Sequence, residues 1–273
     1  MPSGDGRSET EAGDGLARAV GITRFGREGP LRTDDLIVRE ERFELFLNGR
    51  FFVAFACLPN DLEAFATGFL ATEGLLDPRT RFHVSVDHET YRLDVSGEFD
   101  DESLASFSNR RTLTSGCGGG VTGKDIADPV RCLRVDTDLT VSPDSILAGM
   151  QRLREEASLY RLTGGAHIAA LADGCGRLIL TAQDIGRHTA VDKVIGKAIL
   201  SGVEVSRCVL ICSGRLSSEI TLKALHARAP VLASRAAPTD LSVRLARRYL
   251  LTLVGFVRGH RMNVYSVPER IAG

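Results

Sequence analysis

"CVLICSGRLSSEITLKALHARAPVLASR", residues 208–235, is the stretch that sets the fold. "CVLIC" is apolar without alternation and reads as a strand buried on both faces. "SEITLKALHA" then reads as a helix, and "PVLASR" as a second buried strand. Strand, turn, helix, strand is the unit from which layered α/β domains are built.

The pattern continues on both sides. Upstream, "HIAALADGCGRLILTA" is a hairpin around Asp173-Gly174, followed by the helix "TAVDKVIGKAIL". Downstream come the helix "TDLSVRLARRYL" and the strand "LTLVGFVRG". Ser142-Pro143 opens another helix, which runs through "ILAGMQRLREEASLY". Residues 136–273 therefore form a layered α/β domain with a largely parallel centre. Before it, "LIVREERFELFLNGRFFVAFACLP" reads as two strands around Asn48-Gly49. "PNDLEAFATGFLATEGLL" gives a helix capped near Asn60 or Asp61, with Leu62, Phe65, Ala66, Phe69 and Leu70 on one face. "FHVSVDHETYRLDVSG" is a further strand pair, so residues 19–112 make a small α+β unit. The fold class is α/β (α+β overall), and the acidic, polar residues 1–18 read as a disordered leader.

The 273 residues carry a formal net charge of −1, which argues against a broad nucleic-acid or membrane-surface binder. No stretch approaches the roughly 20 apolar residues of a membrane span, and no signal-peptide core is present, so a cytoplasmic protein is expected. Six cysteines show no CxxC and no zinc-ribbon spacing. Cys208 and Cys212 lie roughly 13 Å apart along a strand, too far for a disulfide. A zinc deaminase would need H-x-E and P-C-x-x-C, and both are missing, so no intrinsic metal is expected.

Between the two units, residues 113–135 contain "TSGCGGGVTG" (114–123). Glycine weakens regular structure by roughly 0.5–1 kcal/mol against alanine, so the run is not there for stability. It is either a hinge in which Cys117 happens to sit, or a loop that carries a reactive thiol. An exposed cysteine is an oxidation liability that serine would avoid, and glycine amides stabilise an anionic sulfur, so a nucleophile or sulfur carrier is favoured.

Three turns in the α/β half share a Gly/Ser/Arg character: "QDIGRH" (183–188), "SGRLSSE" (213–219) and "SRAAPTD" (234–240). Each follows a strand and precedes a helix, the position at which open α/β sheets bind anions. Arg187, His188, Ser213, Arg215 and Arg235 are therefore candidates for one rim. The plain alternative is that Asp184, Ser213 and Thr239 only cap helices. "FVRGHR" adds Phe256, Val257, Arg258, Gly259, His260 and Arg261, and "TGGAHIAAL" places His167 at a strand start. No complete Walker motif, G-x-x-x-x-G-K-[ST], is present.

These stretches, with "NGRFFVAFACLPNDLEAFATGFLATEGLL", "TSGCGGG", "QDIGRHTAVDKVIGKAIL" and "LTLVGFVRGHRMNVYSVPERI", resemble the FdhD/NarQ family of formate dehydrogenase accessory sulfurtransferases from about residue 35 to the C-terminus. The resemblance implies a sulfur carrier that takes sulfur from a cysteine desulfurase as a persulfide on Cys117. It would pass that sulfur to a bis-molybdopterin guanine dinucleotide cofactor, bound through its GDP-like moieties, for a molybdenum- or tungsten-dependent formate dehydrogenase. It further implies a cytidine-deaminase-like C-terminal fold without zinc, a homodimer, and cofactor contacts from Phe256 through Arg261. A chaperone that delivers the cofactor without using Cys117 is the alternative, and a thiol redox sensor a weaker one. Many members carry CxxC in the loop, where this chain has Gly120; Gln183 and Thr189 stand where Glu and Asn are expected.

Overall fold

The computed structural model describes residues 15–77, 79–99, 104, 112–113, 121–122 and 133–272. Two strands precede the expected hairpin. β1 (Ala17–Gly26) and β2 (Gly29–Val38) pair antiparallel around Arg27-Glu28, so β1 opens within the stretch 1–18 read as a leader. "LIV" therefore belongs to β2 and not to the strand after it. The run breaks because the Arg39 amide donates to Leu16 O and closes the base of the first hairpin.

β3 (Glu41–Leu47) and β4 (Arg50–Cys57) follow, joined through Asn48 and Gly49 at φ 47° and 77°, the paired positive angles a two-residue hairpin needs. α1 (Leu62–Thr72), β5 (Phe82–Asp87) and β6 (Arg92–Gly97) complete a four-stranded sheet of order β4-β3-β6-β5. Asp61 takes the N-cap position of α1 but makes no capping bond; its carboxylate instead meets Lys197 Nζ at 2.8 Å. α1 is buried beyond the face read from sequence, with Ala64, Thr67, Gly68 and Thr72 also covered. It lies between its own sheet and a helix of the second half. β7 (Thr112–Leu113) and β8 (Val121–Thr122) form a short antiparallel pair. Cys117, between them in sequence, lies outside the described residues.

In the second half, Ser142 caps α2 (Pro143–Glu156) by accepting from Ser145 N, with Pro143 in the first turn. The single helix expected here divides at Ala157, and α3 (Ser158–Thr163) follows. β9 (His167–Ala172), β10 (Leu178–Asp184), α4 (Arg187–Ser201), β11 (Val209–Cys212), α5 (Ser218–His226), β12 (Val231–Ser234), α6 (Asp240–Arg248), β13 (Thr252–Arg258) and β14 (Arg261–Ser266) then build a six-stranded sheet, β10-β9-β11-β12-β13-β14. β11, β12 and β13 are parallel; the pairs at either side are antiparallel. Along β11, Val209 and Ile211 pack towards α2 while Leu210 and Cys212 pack towards α4–α6. Both faces are covered, which is why the strand shows no polar alternation.

The two sheets share one joint. α1 crosses α4 where Gly68 faces Asp192 O and Gly196 faces Ala64 O, too close for a Cβ on either glycine. Around this crossing the protein sets two lysines against three carboxylates. Lys193 Nζ lies 2.7 Å from Asp184 and donates to Leu58 O and Asn60 Oδ1. Lys223 Nζ lies 2.8 Å from Glu73 and 2.9 Å from Asp192, and Thr72 Oγ1 donates to Asp192 Oδ1 at 2.6 Å.

Candidate functional site

Strand direction decides which residues meet. β10, β11, β12 and β13 all end at one edge of the large sheet, and the antiparallel β9 and β14 begin there. His167, Arg187, Ser213, Arg235, Arg258 and Arg261 therefore gather along that edge although up to 94 positions separate them. The turns are tied to one another: Leu216 N donates to Ala237 O, Thr239 N to Leu216 O, and Phe256 N to Ala236 O.

A cleft of ≈ 1330 Å³ opens at this edge. His167, Ser213, Arg235, Val257, Arg258, Gly259 and His260 line it on the sheet side, and Gln151, Arg154, Glu155, Tyr160 and Arg161 from α2 and α3 on the other. Its lining holds four arginines against two carboxylates, Asp144 and Glu155. Arg258 Nε donates to Arg235 O at 2.8 Å, so one guanidinium also braces the neighbouring turn. Phe256 carries φ 53° at a register shift in the β13–β14 pair. This bulge leaves Val257 buried against the α2 face and Arg258 exposed, its guanidinium carbon 5.3 Å from the Phe256 ring centroid.

The other expected residues stand elsewhere on the edge. His188 Nε2 lies 2.9 Å from Glu219 Oε2 and faces the joint. The partly buried Arg187 runs across Gly214, so closely that a Cβ there would lie 2.8 Å from the arginine's own Cβ. Arg215 and Arg261 are exposed and, like Arg187, His188 and Phe256, are outside the described lining of the cleft. The capping alternative holds for Thr239, which accepts from Ser242 N, and not for Ser213. Ser213 Oγ accepts from Ile168 N at 3.1 Å and lies 3.0 Å from His167 Nδ1. Burial, reinforced by Arg187 and His188, holds the His167 imidazole below its ordinary pKa, so it is neutral at pH 7.

Gln183 accepts from Leu159 N and donates to Ser158 Oγ, holding the start of α3 against the rim. Asp184 accepts from Gly186 N and Leu58 N, shaping the turn before Arg187. The helical wall of Arg154, Tyr160 and Arg161 was not signalled by sequence, since its place depends on how α2 crosses the sheet.

The described cysteines divide sharply. Burial pushes the Cys57 thiol up to about 12 and Cys212 to about 11, and raises Cys208 as well. Thiols held protonated in this way are poor nucleophiles. Cys175 is exposed, but in the β9–β10 turn. β9 alone spans roughly 17 Å between that turn and His167. Among the described residues no helix is long and apolar enough to cross a membrane, and no group of three potential metal ligands occurs.

Comparison with known proteins gives a consistent picture. The model of the FdhD/NarQ family matches residues 38–272. The sulfur carrier protein FdhD of Wolinella succinogenes is 36% identical over 260 residues, covering 94% of this chain and 90% of that protein. The protein of the same name from Methanothermobacter thermautotrophicus is 37% identical over 245 residues, covering 88% and 93%. Among solved structures, a Desulfotalea psychrophila protein described as a formate dehydrogenase accessory protein superposes with a TM-score of 0.76 at 27% identity, over 94% of this chain and all of that one.

Proposed function

The chain belongs to the FdhD/NarQ family, and on that premise we propose that it is a sulfur carrier in the maturation of a formate dehydrogenase. Cys117 takes sulfur as a persulfide from a cysteine desulfurase. The acceptor, a bis-molybdopterin guanine dinucleotide, is the substrate of the cleft. The cleft is the observation that carries this reading. Its ≈ 1330 Å³ exceeds the roughly 300–1,000 Å³ of ordinary small-ligand pockets and suits a dinucleotide-sized cargo. Arg235 and Arg258 offer the charge, and His260 a further polar group, that a pyrophosphate needs. The antiparallel β9–β10 hairpin followed by parallel βαβ crossovers supports the deaminase-like description of this half.

On this reading the thiolate of Cys117 attacks the terminal sulfur of the desulfurase persulfide. The sulfur–sulfur bond of the donor breaks, and the donor cysteine leaves as thiolate. The glycines beside Cys117 leave the new terminal sulfur unobstructed for its second transfer.

Intact-protein mass spectrometry after incubation with a cysteine desulfurase and cysteine tests the assignment. Wild type and Cys175→Ser should gain one labile sulfur atom, and Cys117→Ser none. Equal gain on all three, or none on any, would overturn the carrier and leave a chaperone that delivers the cofactor as the account of the cleft.

A further inference from the structure

Ser213 stands where β11 ends. The β9–β11 ladder closes with Cys212 opposite Ala169, and the next step is made by the serine twice over. Its amide donates to Ile168 O at 3.0 Å, and its hydroxyl oxygen accepts from Ile168 N at 3.1 Å. The serine is thus tied to Ile168 through both its amide and its hydroxyl oxygen. With one lone pair of the oxygen taken by the amide, the hydroxyl's own proton has His167 Nδ1 within reach at 3.0 Å, and a serine that donates there sets the tautomer of the ring. A ring that accepts at Nδ1 and is neutral carries its proton on Nε2.

The surroundings oppose a second proton. Burial disfavours charge on the ring first, and Arg187 and His188 at the start of α4 add to it, although His188 is itself paired with Glu219. Arg235, Arg258 and His260 share its cleft from the strand ends, with Arg154 and Arg161 on the helical wall. Against the four arginines of the lining stand Asp144 and Glu155, while Glu219 is taken up by His188.

We propose that Ser213 is a positioning residue that fixes His167 as a neutral, Nε2-protonated hydrogen-bond donor to an anionic group held in the cleft. The assignment separates two roles that a histidine beside sulfur chemistry could take. A ring locked with its proton on Nε2 offers a donor into the cleft and has no basic nitrogen there, so His167 binds and does not abstract protons. Arginines supply the charge; His167 supplies direction. That the anion is a nucleotide phosphate rests on the reading of the cleft given above, whereas the tautomer does not.

Long-range proton–nitrogen NMR of the imidazoles at neutral pH reads the tautomer directly. Wild type should show His167 protonated at Nε2 alone. Ser213→Thr should keep that pattern, because its hydroxyl replaces the serine's, and Ser213→Ala should lose it to a mixture. A doubly protonated ring, a proton on Nδ1, or an unchanged pattern in Ser213→Ala would overturn the proposal. Calorimetric titration with GDP supplies the second arm. His167→Gln, which retains an N–H donor, should stay within about 3-fold of wild type, while His167→Ala loses about 10-fold, the scale of one hydrogen bond to a charged group. Equal losses in both variants would mean that charge, not a donor, is what His167 contributes. If GDP fails to bind wild type, the nucleotide reading falls and the NMR result still decides the tautomer.

Discussion

The joint and the cleft treat charge in opposite ways. At the joint, Asp184, Lys193, Asp192 and Lys223 are buried and Glu73 is partly so, and each has an opposite charge within 3 Å. In the cleft, four arginines face two carboxylates and an open side. Charge paired inside the protein holds two sheets together. Charge left in excess at a concave edge waits for a counter-charge from outside. The two regions should therefore answer mutation differently, one in stability and the other in binding.

The joint offers the larger effect. Lys193→Met removes the cation from a fully buried site and strands Asp184 with only its amide donors. Breaking a buried pair from one side costs about 3–5 kcal/mol, so urea unfolding should show a loss of that size. GDP affinity of the protein that remains folded should be unchanged. A loss below about 1 kcal/mol would mean that the pair is incidental to holding the sheets, and the contrast would fail.

In the cleft the expectation reverses. Arg258→Ala should weaken GDP binding by about 10-fold, with the deficit shrinking as salt is raised. Its stability should stay within about 0.5 kcal/mol of wild type, since the side chain is exposed and braces only one turn carbonyl. Arg261→Ala, on the same hairpin but outside the described lining, should cost no more than about 2-fold. Equal effects from the two would move the anion site from the cleft to the outer face of the β13–β14 turn.

What the sequence made legible follows the range of the interactions involved. The strand–helix alternation from residue 167 onward could be read because apolar runs and Gly/Pro punctuation are local. The gathering of His167, Ser213, Arg235 and Arg258 could be read because strand direction alone sends strand ends to one edge. The division of β2 from β3 was missed because it turns on a bond from Arg39 back to Leu16. The helical wall of the cleft was missed because Gly149 packing under Ile211 is what seats α2. The joint was invisible for the same reason: Lys223 and Glu73 lie 150 positions apart, and neither residue type advertises a partner. Gln183, whose role was open from sequence, proves to be an anchor for α3.

The smallest expected effect is also the one that sets the two regions against each other in a single curve. Burial, then Arg187 and His188, holds His167 below its ordinary pKa of 6.5. The folded protein then binds that proton more weakly than the unfolded chain does. Stability linked to His167 is present above pH 6.5 and is lost as pH falls through the lower folded value. Glu73 tilts the other way: burial raises its pKa, so the folded state holds a proton more tightly and gains as pH falls. Urea midpoints across an acid series should therefore decline less steeply below pH 6.5 in His167→Gln than in wild type, whatever the constant offset between them. Glu73→Gln, which cannot take up the proton, should decline more steeply in the same series. Parallel curves for wild type and His167→Gln would show that burial and the neighbouring charges do not hold the cleft histidine neutral, and the contrast drawn between the two regions would lose its support at this residue.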